Sequence, residues 1–344
     1  MIRKQKIKNL IGVALTSAML LGASGCGKQP EIEKETVAEE TEVEKPAIKQ
    51  QKAIDSSGSY VITYYDTEGR ETKVEYHPLD SSVYDVVFTY DDKGNLLKEV
   101  WTYPDKLSIT ENKYDEDGNL TAVYKGESED SLYLDNEYTY ESGREVKFVN
   151  YNDDGSVWNM YIYVYDDNGN LLKETEESDD GYIYRSWEYE YSEDGVLLQM
   201  TDTLHENKSV IHYDEEENEI LHEYYFKDEY SGCVENEYGP FGLISSTHKD
   251  ENGDVEICEK TYYYENGKHK CVTRENDDGA EVIIKTWEYD ESGNTTHRVS
   301  MRGYEYTAEY NEYGYVSWDH DVCTDPARSA GMFDIETTYE YEYY

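Results

Sequence analysis

With 77 Asp and Glu against 31 Lys and Arg, carboxylate is the first chemistry this sequence offers. A carboxyl pair can run acid–base hydrolysis when rigid elements hold the two at a fixed separation and keep one protonated. No pair stands out among so many, and most read as solvated strand faces. The eight His are the second resource. His212 and His222 flank Glu216-Glu217-Asn218 and would face each other across a three-residue loop, where a shared metal is the chemistry on offer. Two half-exposed strand residues is the plainer reading. Asp319-His320-Asp321 and Cys323 also collect ligand types, in a stretch (317–331) that reads as a loop or cap. Nucleophile motifs, phosphate-cradling loops and zinc-protease helices are absent. No catalytic residue, metal ligand or cofactor is therefore assigned, and the chain is read as a non-enzyme.

The elements that would position any such group are hairpins. Tyr165-Asp166-Asp167-Asn168-Gly169-Asn170-Leu171-Leu172-Lys173 reads as a hairpin tip, with Asn168-Gly169 supplying two positive-φ positions and Tyr165 meeting Leu171 or Leu172 across the strands. Close copies begin at Tyr90, Tyr114 and Tyr289. Turn glycines keep time: Gly143, Gly155, Gly169, Gly181 and Gly195 are 12, 14, 12 and 14 residues apart, and Gly253 to Gly293 repeats the rhythm. One strand plus one turn per 13 or so residues predicts an antiparallel meander of roughly 20 strands after Tyr60. Alternation agrees, as in Trp187-Glu188-Tyr189-Glu190-Tyr191. The rhythm weakens between Gly195 and Gly239. Asn150-x-Asn152-x-Asp154-Gly155 has the first half of a calcium loop, but Tyr161 stands where its bidentate Glu belongs, so turn chemistry explains it. Cys233, Cys258, Cys271 and Cys323 leave all three disulfide pairings open, free thiols included.

Composition narrows the partners. The formal charge is −46, and it excludes nucleic acid and anionic lipid as binding surfaces. Tyrosine dominates, with 38 Tyr against 5 Phe and 5 Trp, which suits thin sheets with half-wet faces.

Residues 1–25 read as an export signal: Arg3, Lys4, Lys6 and Lys8, an apolar run from Leu10 to Leu21, then small residues. Ala23-Ser24-Gly25-Cys26 resembles the lipobox of bacterial lipoproteins. The resemblance implies that Cys26 is lipidated and becomes the mature N-terminus, leaving the protein exported and lipid-anchored on the extracellular face of a membrane. Residues 26–59 then form a disordered charged linker, without aromatics, of roughly 110 Å if extended. The folded body is placed at 60–344.

The unit Tyr-Asp-x-x-Gly-Asn-Leu-Leu resembles the YD repeats of Rhs-type bacterial surface proteins, over most of residues 60–344. That resemblance implies an all-β sheet of joined hairpins, open, spiral or closed, with Tyr and Leu inward. Toxin-encapsulating members carry many more repeats and a C-terminal cargo, so that activity is not carried over. Thr261-Tyr262-Tyr263-Tyr264-Glu265-Asn266-Gly267-Lys268 more weakly resembles aromatic wall-binding repeats, which are richer in Trp and longer in period. The expectation is a non-catalytic surface binding or adhesion module for a glycan, cell wall or protein ligand. Its alternatives are a spacer without ligand and a carboxylate hydrolase.

Overall fold

The structure is a computed structural model, and it describes residues 45–80, 82–276, 278–301, 303–324 and 333–344. The export signal, Cys26, the linker as far as residue 44 and the stretch 325–332 lie outside the described residues. The chain is an all-β antiparallel meander, as the turn spacing implies. It begins with β1 (Ile48–Asp55), β2 (Tyr60–Tyr65), β3 (Glu71–His77), β4 (Tyr84–Tyr90), β5 (Leu96–Thr102), β6 (Leu107–Tyr114), β7 (Leu120–Gly126) and β8 (Tyr133–Glu141). Then follow β9 (Arg144–Tyr151), β10 (Val157–Tyr165), β11 (Leu171–Glu177), β12 (Ile183–Tyr191), β13 (Leu197–Leu204), β14 (Asn207–Tyr213), β15 (Glu219–Phe226) and β16 (Glu229–Gly239). The last are β17 (Gly242–Asp250), β18 (Val255–Tyr263), β19 (His269–Glu275), β20 (Glu281–Tyr289), β21 (Thr295–Ser300), β22 (Tyr304–Tyr310), β23 (Val316–Cys323) and β24 (Phe333–Tyr343).

Two compact units divide these strands. One is built on 59–234 with 249–254, the other on the segment before Ser59, 235–248 and 255–344. Within the first, each strand from β2 to β15 pairs antiparallel with the next. Within the second, β18 to β24 do the same, and β1 pairs with β24. β1 corrects the domain boundary, since residues 48–55 of the expected linker are a strand. Its sequence is too polar to register as one; β24, from the far end of the chain, is one of its pairing partners. Strand β23 likewise replaces the loop expected over 317–323.

The turn geometry also differs from the Asn-Gly reading. Asp166 N–H donates to Asn170 O and Gly169 N–H donates to Asp166 O, both at 3.0 Å. Positive φ falls on Gly169 (92°) and not on Asn168, giving a three-residue turn that ends in a glycine bulge. Asp166 Oδ1 accepts the Asn170 backbone N–H at 2.8 Å, and Oδ2 accepts Asn170 Nδ2 at 2.9 Å. The same clamp recurs at Asp91–Asn95, Asp115–Asn119, Asp214–Asn218 and Asp290–Asn294. Tyr165 then pairs with Leu171, and the register slips so that Val164 pairs with Lys173. Leu172 is the extra residue, left 38% exposed.

Packing is correspondingly thin. The buried apolar side chains are mostly single small ones near strand centres, such as Val74, Val86, Val123, Val149 and Ala308. Several successive hairpins are tied instead by a tyrosine that immediately precedes a turn. Tyr90 Oη donates to Glu71 O (2.8 Å), Tyr114 to Leu96 O (3.0 Å), Tyr165 to Glu145 O (2.8 Å) and Tyr191 to Leu171 O (3.0 Å). In the second unit Tyr263 reaches Leu243 O (2.9 Å) and Tyr310 reaches Thr295 O (2.9 Å). The ring covers its neighbour strand while the hydroxyl satisfies a carbonyl at the turn, using both ends of the amphipathic side chain.

Candidate functional site

Grooves lie between neighbouring turns on the same side of the sheet, each lined in part by a bulged Leu and by a tying Tyr. Between the β4–β5 and β6–β7 turns this leaves about 500 Å³ lined by Asp91, Asn95, Leu97, Lys113, Tyr114 and Asp115, among others. Lys93 Nζ spans the two turns, donating to Glu116 O at 3.0 Å. A second groove of about 500 Å³ lies between the β10–β11 and β12–β13 turns, with Asp166, Asn170, Leu172, Tyr189, Tyr191 and Glu193. Both combine an apolar floor, a phenol wall and a rim of carboxylates and amides. The rim is charged at neutral pH. Hydrogen bonds from the Asn95 backbone and side chain hold Asp91 below the ordinary carboxylate range, and Asn170 does the same for Asp166.

Aromatic rings are organised differently from an open stacking platform. Tyr76, Tyr84, Trp101 and Tyr103 stack on one another across β3, β4 and the end of β5, with centroids 4.6 to 6.1 Å apart. Lys106 sits over Tyr103, 5.4 Å from its centroid. The rings pack on one another and on this cation, which stabilises the sheet. Tyr138, Phe148 and Tyr161 form a second such row.

One carboxyl pair does emerge on the tyrosine face. Tyr163 is in register with Glu174, which is in register with Trp187, and Glu145 acts electrostatically on the same phenol. Burial raises both Glu145 and Glu174 above the ordinary carboxylate range, and the charge of Glu145 adds to the shift of Glu174. Burial, then these two charges, push the Tyr163 phenol up. Sequence reading missed this trio because the register slips at Tyr140/Glu145 and Tyr165/Leu171 break the simple odd–even count of faces.

The sequence-derived candidates are scattered by the register. His212 pairs with Leu221 and Ile211 with His222, so the two His lie on opposite faces and cannot share a metal. His212 instead contacts Glu223 at 3.1 Å, and His222 stacks on Tyr224. Asp319 and Asp321 share a face, accepting from Tyr339 Oη (3.0 Å) and Tyr304 Oη (2.6 Å), while His320 turns to Asp334 at 2.7 Å. No group of three metal-ligating side chains forms among the described residues. In the half calcium loop, Asn152 N–H donates to Ser156 O and Asp154 accepts Ser156, which is ordinary turn bonding. Cys258 lies outside the register partner of Cys271, which is Tyr262. Cys233 and Cys258 are free thiols.

No protein-family model matches the sequence, and no curated protein matches it. Among solved structures, similarity is found to the crystal structure of TcdB2-TccC3-Cdc42, at 12% identity over 83% of this chain and 18% of that one, with a TM-score of 0.43. TcdB2-TccC3 without its hypervariable C-terminal region gives 11% identity, 83% and 18% coverage, and a TM-score of 0.45. A porin-like protein from Bacteroides uniformis gives 13% identity over 87% of this chain and 98% of that one, with a TM-score of 0.27. The chain thus spans under a fifth of the TcdB2-TccC3 chains it resembles.

Proposed function

We propose that this protein is a non-catalytic binding module for a linear glycan or cell-wall polymer, displayed outside the cell by a lipid on Cys26. The observation that carries the reading is a polar groove between turns two strands apart, found beside the β4–β5 turn and again beside the β10–β11 turn. Carboxylate and amide groups in both grooves, with lysines in the first, suit the hydroxyls of a polyhydroxylated ligand, and Leu and Tyr suit its apolar faces. Hairpins repeat every two strands, or about 10 Å. A polymer with a comparable repeat would meet equivalent groups at each groove, so weak contacts add along its length. The export signal and Ala23-Ser24-Gly25-Cys26 support the location. A Cys26→Ser chain should lose lipid label; label retained on that variant would end the anchor reading.

Calorimetric titration with cell-wall oligosaccharides of increasing length tests the binding reading. Affinity should rise stepwise with length. Lys113→Ala together with Glu193→Ala, one exposed residue from each groove, should weaken it without moving the melting temperature. No binding across such a panel would leave the spacer. A second reading, a carboxylate-dependent hydrolase, is favoured by Glu145, Tyr163 and Glu174. Release of reducing ends that is lost in Glu174→Gln would move the assignment there.

A further inference from the structure

Among the described pairings of known register, β1 with β24 is the one that joins strands from opposite ends of the chain. Ile48 pairs with Tyr343 and the ladder runs to Asp55 with Thr337, with one irregularity after Ile48. Flanking contacts extend the grip. Lys45 Nζ lies over the Tyr315 ring, 5.1 Å from its centroid, and Tyr315 Oη donates to Pro46 O at 3.0 Å. Tyr344 N–H donates to Ala47 O at 3.1 Å, and Glu336 N–H donates to Ser56 Oγ at 3.4 Å.

What holds this segment is backbone pairing and charge. No residue of β1 is fully buried. Residues 45–54 carry Lys45, Lys49 and Lys52 and no acid, a basic stretch in a chain of charge −46. Strand β24 carries Glu336, Glu340 and Glu342. Lys49 pairs with Glu342 at 2.6 Å and Lys52 with Glu340 at 3.7 Å, all four side chains being substantially exposed or nearly so. Such pairs contribute little individually, about 0–1 kcal/mol. They do select: an acidic β24 edge accepts a basic strand and repels the acid-rich strands that make up most of the chain.

We propose that the edge of β24 is a strand-acceptor site for a basic extended segment, and that its second occupant is β1 of another copy of this chain. Every contact of the seam given above can be made between copies as well as within one, since each lies between segment 45–56 and residues 314–344. Exchange then needs no new surface. It links copies through β-strand addition, the main chain giving affinity and the Lys–Glu row giving specificity.

The test mixes two full-length variants, Lys52→Cys and Glu340→Cys, each also carrying Cys26→Ser, under diamide oxidation. A disulfide joining positions 52 and 340 in the mixture, identified by peptide mass, requires pairing between copies. The expected result is a heterodimer that neither variant gives alone. It should be lost when a synthetic peptide of residues 45–56 is added in excess, and kept when that peptide carries Lys49→Glu and Lys52→Glu. The double variant Lys52→Cys/Glu340→Cys reports the register within one copy and should oxidise without dimer at high dilution. If it oxidises and the mixture never forms the heterodimer, exchange is overturned. If it fails to oxidise, the seam itself is overturned. Heterodimer undiminished by the native peptide would overturn the acceptor site.

Discussion

The turns show how much depends on one backbone angle. Gly169 (φ 92°) and Gly279 (φ 76°) occupy left-handed positions that a β-branched residue resists. Replacing either by Val should destabilise by more than ~1 kcal/mol, read as a lower urea midpoint. At Gly169 a Cβ also meets the Arg144 guanidinium, which must shift. The converse holds at Glu217, which has φ 61° in the turn clamped by Asp214 and Asn218. There Glu217→Gly should stabilise by up to about 1 kcal/mol and raise the midpoint, the relief of strain being partly offset by glycine's unfolded-state entropy. An unchanged midpoint at Glu217 would mean the turn relaxes out of the left-handed region.

At the scale of the strand and hairpin, the tyrosine-to-carbonyl ties couple several of the repeats to the one before. Tyr191→Phe keeps the ring and removes the hydrogen bond to Leu171 O, so it should cost about 1 kcal/mol and speed amide exchange in β11 and β12. The region from 196 to 238 is where hairpins should open first. Four of the five non-glycine residues with positive φ among those described, His205, Glu217, Lys227 and Asp228, lie in it. Limited proteolysis, after removing the N-terminal linker, should cut there next, and amide exchange should exceed that of 143–195 and 253–293. Uniform protection across both units, with no internal cut, would show that these strained turns do not set local stability.

For the whole molecule, tyrosine sets the response to base. Burial is the first cause that raises Tyr140, Tyr189 and Tyr306 to about 12, with nearby carboxylates and phenols adding to it. Their folded pKa lies above the unfolded value near 10, so the folded state favours the neutral phenol. The stability they contribute is complete below pH 10 and lost as pH rises from 10 through about 12. Each ionisation also adds to a charge already at −46. Unfolding followed by circular dichroism should therefore steepen across that window, together with tyrosinate absorbance. Absorbance that titrates at pH 10, ahead of unfolding, would show the phenols to be freely solvated.

What the sequence determined by itself was local: the spacing of Gly143 to Gly195 sets strand and turn lengths, and Trp187-Glu188-Tyr189-Glu190-Tyr191 sets a period of two. Both act within a few residues, so the all-β hairpin repeat is legible without coordinates. Only the tertiary structure decided matters that rest on register or on distant partners. A one-residue slip beside the turns concerned put Leu171 rather than Leu172 opposite Tyr165, placed His212 and His222 on opposite faces, and brought Glu145 and Glu174 to one phenol. Such slips come from bulges that no period-two count contains. The residues 48–55 look like linker because their own apolar content is too low to form a strand alone. They become one because β24 supplies backbone partners and two glutamates from almost 300 residues away, a contribution that no local pattern can carry.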